Sequence, residues 1–335
     1  MALRFAFLTA AVVLFFLLLL AYGSAVIPLN EVLAILGGSE EAPNNWPFIV
    51  TEVRLPKAWT AVFAGASLAV SGLLMQTLFR NPLAGPYVLG ISSGASLAVA
   101  ITVLGGGGAL ALTQGGAGQV AAASFGAGTV LVLVVLVARR VTNLTLLILG
   151  VLFGYATSAL VTLLMHFSLA DRVQAYINWT FGSLGGVTRS ELKVLLPVLV
   201  VGLVLAFLQA KSLNALLLGE PSAASLGVAV GKTRLAVLIS TALLAGAVTA
   251  FCGPVGFLGV AVPHLARGFF RSGDHRILLP GTALLGALFA LMAGFIAEVP
   301  GSQLSLPLNA VTSLVGAPII IAVILRRPPE VSGVR

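Results

Sequence analysis

Long apolar runs, separated by short polar connections, restrict the possible folds of this chain more than any other feature. Charged residues make up 8% of its 335 residues, and few of them fall inside the runs. A soluble domain needs far more polar surface, and irregular backbone is not tolerated against lipid. The runs therefore predict membrane-spanning helices of about 20 residues. The ten-residue alternation of a membrane β-barrel is absent from the sequence.

The fold class that we predict is an all-α polytopic membrane protein with about ten transmembrane helices in one transmembrane domain, 1–335. The first run, Phe5–Tyr22, precedes small residues as in a signal peptide. It is longer than the apolar region of about 7–15 residues that a signal peptide has, so we take it as the first span. The predicted spans are 4–22, 58–79, 88–105, 119–138, 146–168, 191–209, 233–252, 255–270, 278–298 and 308–325.

The cations predict the orientation of the chain. With the N-terminus inside, thirteen of the 18 lysines and arginines lie at cytoplasmic ends, namely Arg4, Arg80, Arg139, Arg140, Lys211, Lys232, Arg234, Arg267, Arg271, Arg276, Arg326, Arg327 and Arg335. The outer side holds Arg54, Lys57, Arg172, Arg189 and Lys193. Because cytoplasmic connections carry the excess of Lys and Arg, we expect both termini to be cytoplasmic. No basic cluster interleaved with aromatic residues indicates binding of nucleic acid.

Residues 212–228, which we call the coupling segment, are too broken to span a membrane and lie on the predicted cytoplasmic side. Ser212 suits the N-cap of a first short helix, Leu213–Leu218, and Gly219 suits its end. A second short helix would follow, with a proline in its first turn and Gly227 at its end. Two such helices predict a structured surface for a soluble partner. An ordinary interhelical loop is the alternative.

Leucines in the first of these helices share one face. Leu213, Leu216 and Leu217 have the i, i+3, i+4 spacing that aligns side chains on a helix. We interpret this face as the contact that receives mechanical work from a separate protein that uses ATP.

The sequence at the end of the coupling segment is similar to the P-loop motif of nucleotide-binding proteins but does not match it. Three residues separate Gly227 from Gly231, where a P-loop has four, and no strand is predicted before them. We therefore do not expect this chain to hydrolyse ATP. The histidines are dispersed, and neither HExxH, GxSxG nor a carboxylate pair occurs, so we predict no catalytic residue, no metal site and no cofactor bound by this chain.

Two cations stand three residues apart before the second predicted span. Arg54 and Lys57 could receive carboxylates from an extracytoplasmic partner, with an interfacial helix anchor as the alternative. His166, near an outer helix end, is a candidate for contact with a substrate. Apart from His166 and Glu298, ionisable groups are nearly absent from the spans. A secondary carrier coupled to protons or sodium normally needs such a group near the midplane, so energy is expected from elsewhere.

Several motifs together resemble the permease subunits of type II ABC importers, which carry iron–siderophore complexes, haem or cobalamin. The resemblance rests on the motifs Arg80–Ala95 (RNPLAGPYVLGISSGA), Leu218–Glu220 with Ala224–Gly227, Gly253–Gly259 (GPVGFLG) continuing to Pro263–Arg267, Leu306–Pro307 and Gly316–Pro318. It covers about Arg54 to Arg327.

This resemblance implies ten helices per subunit, a second permease copy with the pathway at the dimer interface, and two cytoplasmic ATPase subunits that bind ATP and Mg²⁺. A periplasmic or lipid-anchored binding protein would deliver the cargo. The resemblance places the ATPase contact at Leu213, Leu216, Leu217, Leu218, Gly219, Glu220, Ala224, Ser225, Leu226 and Gly227. It places the cytoplasmic gate at Asn143, Leu144 and Thr145.

The resemblance also assigns docking of the binding protein to Arg54 and Lys57. The family has arginine at both positions, and the lysine here keeps the charge but loses bidentate geometry. Glu298 replaces a further basic residue of many members. We expect a permease of the bacterial inner membrane that imports an iron–siderophore complex or haem, with cobalamin as the alternative cargo. A stand-alone secondary transporter or a membrane enzyme would be a different class.

Overall fold

The computed structural model describes residues 1–38, 45–105, 116–138, 140–298 and 305–326. Arg139, Arg327 and Arg335, which contribute to the predicted orientation, lie outside the described residues. No strand occurs within these ranges. The helices are α1 (Ala2–Ala21), α2 (Leu29–Leu36), α3 (Trp46–Leu78), α4 (Ile91–Leu104), α5 (Gly116–Ala138), α6 (Asn143–His166), α7 (Ala170–Thr180), α8 (Arg189–Leu208), α9 (Ala210–Leu216), α10 (Glu220–Ser225), α11 (Val230–Cys252), α12 (Leu258–Phe270), α13 (His275–Ala297) and α14 (Leu308–Arg326).

Each predicted apolar range coincides with a helix, and the all-helical membrane class is confirmed. In the described part of the chain, seven helices are long and apolar enough to cross a membrane, namely α1, α3, α5, α6, α8, α11 and α13. Helices α4 and α14 are apolar but shorter by the same measure, and α12 has 13 residues. The number of ten crossings therefore stays a prediction.

Helix α3 begins well before the span predicted over 58–79. It starts at Trp46 and passes through a π-helical stretch, Ile49–Arg54, ahead of Pro56. A proline ring clashes with the carbonyl four residues earlier in a regular α-helix, and a wider local turn relieves that clash. Arg54 and Lys57 consequently lie inside this helix rather than before it.

Helix α3 forms the centre of the molecule and packs against α12 and α13 at backbone distance. A Cβ atom on Gly72 would overlap the carbonyl group of Gly259 in α12, and one on Gly65 would overlap that of Gly286 in α13. Small residues let membrane helices approach this closely, and van der Waals contact then stabilises the pair. We refer to α3, α12 and α13 as the scaffold.

Helix α6 is packed far more loosely than the scaffold. Only 17% of its most apolar window is buried, against 83% for α3. Leu144, Leu152, Tyr155 and Phe167 are all more than half exposed along it. Its inner contacts run mainly to α4 and to the turn Pro86–Leu89. One long face of α6 is therefore free of contact with the described part of this chain.

The predicted cytoplasmic connections meet at one end of the helix bundle. His264 Nε2 lies 2.7 Å from the carbonyl oxygen of Pro82. Arg234 Nη1 donates to the carbonyl of Val141 at 2.9 Å. At the other end, Arg189 at the start of α8 pairs with Glu52 of α3, and Asn309 of α14 donates to the carbonyl of Thr180 at 2.8 Å.

Candidate coupling site

The coupling segment forms two short helices, α9 and α10, but the first begins earlier than the sequence predicts. Helix α9 covers Ala210–Leu216 and follows α8 after the single residue Gln209, so Ser212 lies inside the helix and is not its N-cap. The bundle helix α8 runs almost directly into α9, and no free helix start exists there for a serine to cap. The predicted end at Leu218 is likewise two residues late.

Both predicted glycine positions have the backbone conformation that favours glycine. Gly219 has φ +99° and precedes α10, while Gly227 has φ +81° and follows it. Pro221 occupies the first turn of α10, where its missing N–H group costs no helix hydrogen bond. The structure therefore confirms that the segment forms two short helices. It does not confirm that the leucines of the first helix face a partner.

Leu213 and Leu216 point into the protein rather than toward a partner. They are 0% and 5% exposed and pack inside this chain, whereas Leu217 is 46% exposed. The spacing places Leu213 and Leu216 on one face but cannot tell whether that face meets the bundle or a second protein, and Leu217 lies just beyond the end of α9. The exposed surface of the segment is formed instead by mostly small or apolar residues and one carboxylate, namely Leu217, Leu218, Glu220, Pro221, Ser222, Ala224, Ser225, Leu226 and Gly227.

Helix α9 is held to the scaffold by a polar network that the sequence does not reveal. Asn214 Nδ2 donates to Asp274 Oδ1 at 2.6 Å, and Asn214 Oδ1 accepts from the backbone N–H of His275 at 2.8 Å. The His275 ring continues the network to Thr77 at the end of α3, with 2.8 Å between Nε2 and Oγ1. Three helices are thereby joined through one asparagine.

The carboxylate of Asp274 caps the start of α13. It accepts from the backbone N–H of Arg276 at 2.9 Å. This bond, followed by the bond from the Asn214 side chain, lowers the pKa of Asp274 because both favour the charged carboxylate. The group is therefore ionised at neutral pH and keeps Asn214 oriented.

Helix α10 makes a different contact, with the residues predicted as the gate. Asn143 is the first residue of α6, and its Nδ2 donates to Glu220 Oε1 at 2.8 Å. The same amide group reaches the carbonyl of Leu78, at the end of α3, at 3.3 Å. The structure thus brings Glu220 of the coupling segment and Asn143 of the predicted gate into direct contact.

The other two predicted gate residues occupy the first turn of α6. Leu144 is 68% exposed, and Thr142 caps the helix by accepting from the backbone N–H of Thr145 at 3.2 Å. His166 ends the same helix, exposed, with its ring 4.9 Å from that of Phe167. The predicted gate and the predicted substrate contact therefore lie at opposite ends of α6, and both roles stay predictions.

The two cations predicted for docking have partners inside this chain. Arg54 is 4% exposed, and its guanidinium donates to the carbonyls of Leu20, Ala21 and Ala25, at 2.8, 3.1 and 2.5 Å. These are the carbonyls at the C-terminal end of α1 and just beyond it, which lack helix partners. Docking through Arg54 stays a prediction that requires this side chain to leave them.

Lys57 is also buried, and its partner is the residue that departs from the family pattern. Its ammonium group forms an ion pair with Glu298, which lies just after α13. Lys57 is 8% exposed, so a carboxylate from another protein would have to displace Glu298. The acidic residue at 298 therefore compensates the lysine within the chain, a pairing across 241 positions that local sequence patterns do not indicate.

The incomplete nucleotide motif is helical. Gly231, Lys232 and Thr233 lie in the first turn of α11, and the N–H of Thr233 donates to the carbonyl of Ala229 at 3.0 Å. A P-loop instead directs a run of free N–H groups at phosphate. Among the described residues, no group of three or more His, Cys, Asp or Glu side chains could hold a metal ion.

The chain matches known proteins along most of its length. The model of the FecCD transport family matches residues 11–326. Relatives named vitamin B12 import system permease protein BtuC include one from Salmonella paratyphi A, 34% identical over 90% of this chain and 93% of the relative. Another, from Salmonella arizonae, is 35% identical over 90% of this chain and 92% of its own length.

Solved structures share the fold. One is described as an inward-facing conformation of a metal-chelate type ABC transporter, with TM-score 0.84, 26% identity, and coverage of 98% of this chain and 100% of the other. PsaBC from Streptococcus pneumoniae in complex with Fab has TM-score 0.51 and 13% identity over 89% of this chain and 97% of the other, which supports the fold alone. The chain belongs to the FecCD transport family and is a multi-pass permease of the type II ABC importer fold.

Proposed function

We propose that two copies of this chain form the membrane pathway of an importer that moves a metal chelate into the bacterial cytoplasm. Two separate ATPase subunits bind ATP and Mg²⁺ and press on the coupling segments, while an extracytoplasmic binding protein delivers the chelate. This chain binds no cofactor and hydrolyses nothing. Both termini lie on the cytoplasmic side, as the positive-inside rule favours.

The observation that carries the proposal is the exposed surface of the coupling segment. Leu217 and Leu218, which follow α9, and Leu226, which follows α10, are 46%, 64% and 65% exposed. The segment lies between Lys211 and Lys232, at the end rich in cations, where a bilayer would not cover it. Exposed apolar side chains beside two short cytoplasmic helices suit the interface with a soluble ATPase.

A second copy of the chain accounts for the free face of α6. Its exposed residues include Tyr155 near the middle of the helix, with 72% of the residue accessible. A tyrosine hydroxyl in the centre of a bilayer would lack a hydrogen-bond partner, and tyrosine prefers the membrane interface. We therefore place α6 along a pathway between two copies rather than against lipid.

The cargo that we propose is a metal chelate. Relatives at 34% identity are named for import of vitamin B12, which is a cobalt chelate, and a structural neighbour is of the metal-chelate type. These names favour cobalamin as the first cargo to test. An iron–siderophore complex or haem, expected from the sequence alone, belongs to the same chemical class and is the alternative.

Reconstitution tests the proposal. The chain, co-purified with its ATPase and binding-protein partners, is placed in liposomes and supplied with radiolabelled cobalamin, ferric siderophore or haem. We expect uptake of one chelate that requires ATP and stops with vanadate. Uptake by the chain alone, driven by an ion gradient without ATP, would instead establish the secondary-carrier alternative.

A further inference from the structure

The coupling segment is divided between two parts of the molecule. Helix α9 is fixed through Asn214 to Asp274 and His275, at the start of scaffold helix α13. Helix α10 packs against α9 and α11, and it is also bonded to α6 through Glu220 and Asn143. Gly219 lies between the two short helices with φ +99°, a conformation that other residues rarely adopt. The two halves of the segment are therefore hydrogen-bonded to different helices.

We propose that Glu220 is a positioning residue for transport, and that its hydrogen bond to Asn143 makes α6 follow α10 while α9 stays with the scaffold. The proposal rests on the proposed ATP-driven function. It assigns to Glu220 an inward role, toward the gate, in place of a direct contact with the ATPase.

The bonds of Asn143 support this division. One amide group donates both to Glu220, at 2.8 Å, and to the scaffold carbonyl of Leu78, at 3.3 Å. A short bond to an ionised acceptor is roughly twice as strong as a bond to a neutral one. When α10 is displaced, the bond to Leu78 is therefore the one that breaks, and the start of α6 moves with α10.

The packing of α6 allows it to move in this way. Its window is 17% buried, so its displacement disturbs little of the core apart from the close contact of Gly150 with the carbonyl of Val88, whereas the scaffold helices meet at several such glycine contacts. A second contact joins the start of α6 to the helix that follows α10, since Arg234 donates to the carbonyl of Val141. The neighbouring Asn143 Oδ1 is buried without a hydrogen-bond partner among the described residues, which indicates that its surroundings are not optimised for one position.

Three variants of Glu220 test the role of its hydrogen bond to Asn143 in the reconstituted complex. The measurement is the ratio of chelate imported to ATP hydrolysed. Glu220→Gln keeps an oxygen at the same distance but removes the charge, so a ratio between those of wild type and Glu220→Ala is expected. Glu220→Ala removes the bond, and Glu220→Asp keeps the charge but withdraws the carboxylate. We expect both to lower the ratio by about tenfold, the effect of losing one hydrogen bond to a charged group. Ser222→Ala, on the same short helix, is the matched control and should retain it.

Asn143→Ala should lower the ratio as Glu220→Ala does, and the double variant should be no worse than either. Thermal unfolding of each purified complex identifies a variant that fails only because it does not assemble. If the losses in this ratio add up in the double variant, Glu220 and Asn143 do not act through a shared hydrogen bond and the proposal is wrong. A Gln variant as impaired as the Ala variant, together with a normal Asp variant, would also contradict it. Wild-type uptake without ATP would overturn the proposed function instead, so the two failures are distinguishable.

Discussion

Helices α3 and α6 have similar apolar character, yet the fold uses them in opposite ways. The most apolar window of α3 is 83% buried and that of α6 only 17%. Glycines bring α3 against its neighbours at backbone distance, whereas α6 keeps a long free face and is hydrogen-bonded to α10 through its first residue, Asn143. Hydropathy alone cannot separate a structural helix from a moving one, and the difference lies in packing.

The largest effect is expected where α3 meets α12. Gly72→Ala places a methyl group inside the carbonyl of Gly259, and neither backbone can yield without separating the helices. Overpacking of this kind should destabilise the protein by about 3 kcal/mol or more. Gly268→Ala is the matched control, because a Cβ atom there meets nothing within 4 Å. Thermal unfolding in detergent compares the two, and equal stability would show that the scaffold is not locked at Gly72.

A smaller loss is expected at the outer end of α3. Arg54→Met leaves the carbonyl of Leu20 without its buried donor, while that of Ala21 still accepts from the N–H of Ile27, and the loss should cost about 2 kcal/mol. Arg189→Met removes an exposed cation paired with Glu52 and should change stability by less than about 0.5 kcal/mol. The same unfolding assay measures both. If the Arg54 variant is as stable as the Arg189 variant, the bonds of Arg54 to these carbonyls contribute little to stability, and its guanidinium in the wild-type protein is available for docking.

The smallest effect concerns the contact between α9 and the scaffold. The pKa of Asp274 is lowered in the folded protein, so its stabilising bonds are present at pH values above its ordinary pKa of about 4 and are lost as the pH falls through the folded value. The advantage of wild type over Asp274→Ala in melting temperature should therefore be present at pH 7 and shrink toward pH 3. An advantage that grows on acidification would contradict the role of this carboxylate.

How far the sequence predicts this molecule depends on the distance over which residues interact. Each apolar run predicts its helix, because about 20 apolar residues bring their own backbone hydrogen bonds. Gly219 and Gly227 likewise mark turns from local conformation. Lys57 with Glu298 and Asn214 with His275 are contacts between distant segments, for which the local sequence holds no signal.

The leucines of the coupling segment show the same limit on a smaller scale. Leu213 and Leu217 are one turn apart, and their spacing predicts that they share a face. Leu213 is nevertheless fully buried and Leu217 half exposed, because α9 lies along the bundle rather than projecting from it. Which side of a short helix meets a partner is decided by neighbouring elements, and sequence periodicity does not contain that information.

The movement of α6 relative to the scaffold can be measured directly within the assembled complex. Spin labels at Leu144→Cys, at the start of α6, and at Gly268→Cys, on α12, are both at exposed positions, and the native Cys252 is buried. Labelled chains are diluted with unlabelled ones, and the distance is recorded with and without ATP and vanadate. We expect a nucleotide-dependent change in the wild-type background that disappears with Glu220→Ala. A distance that does not respond to nucleotide, in a complex that transports, would contradict the division into scaffold and moving helix.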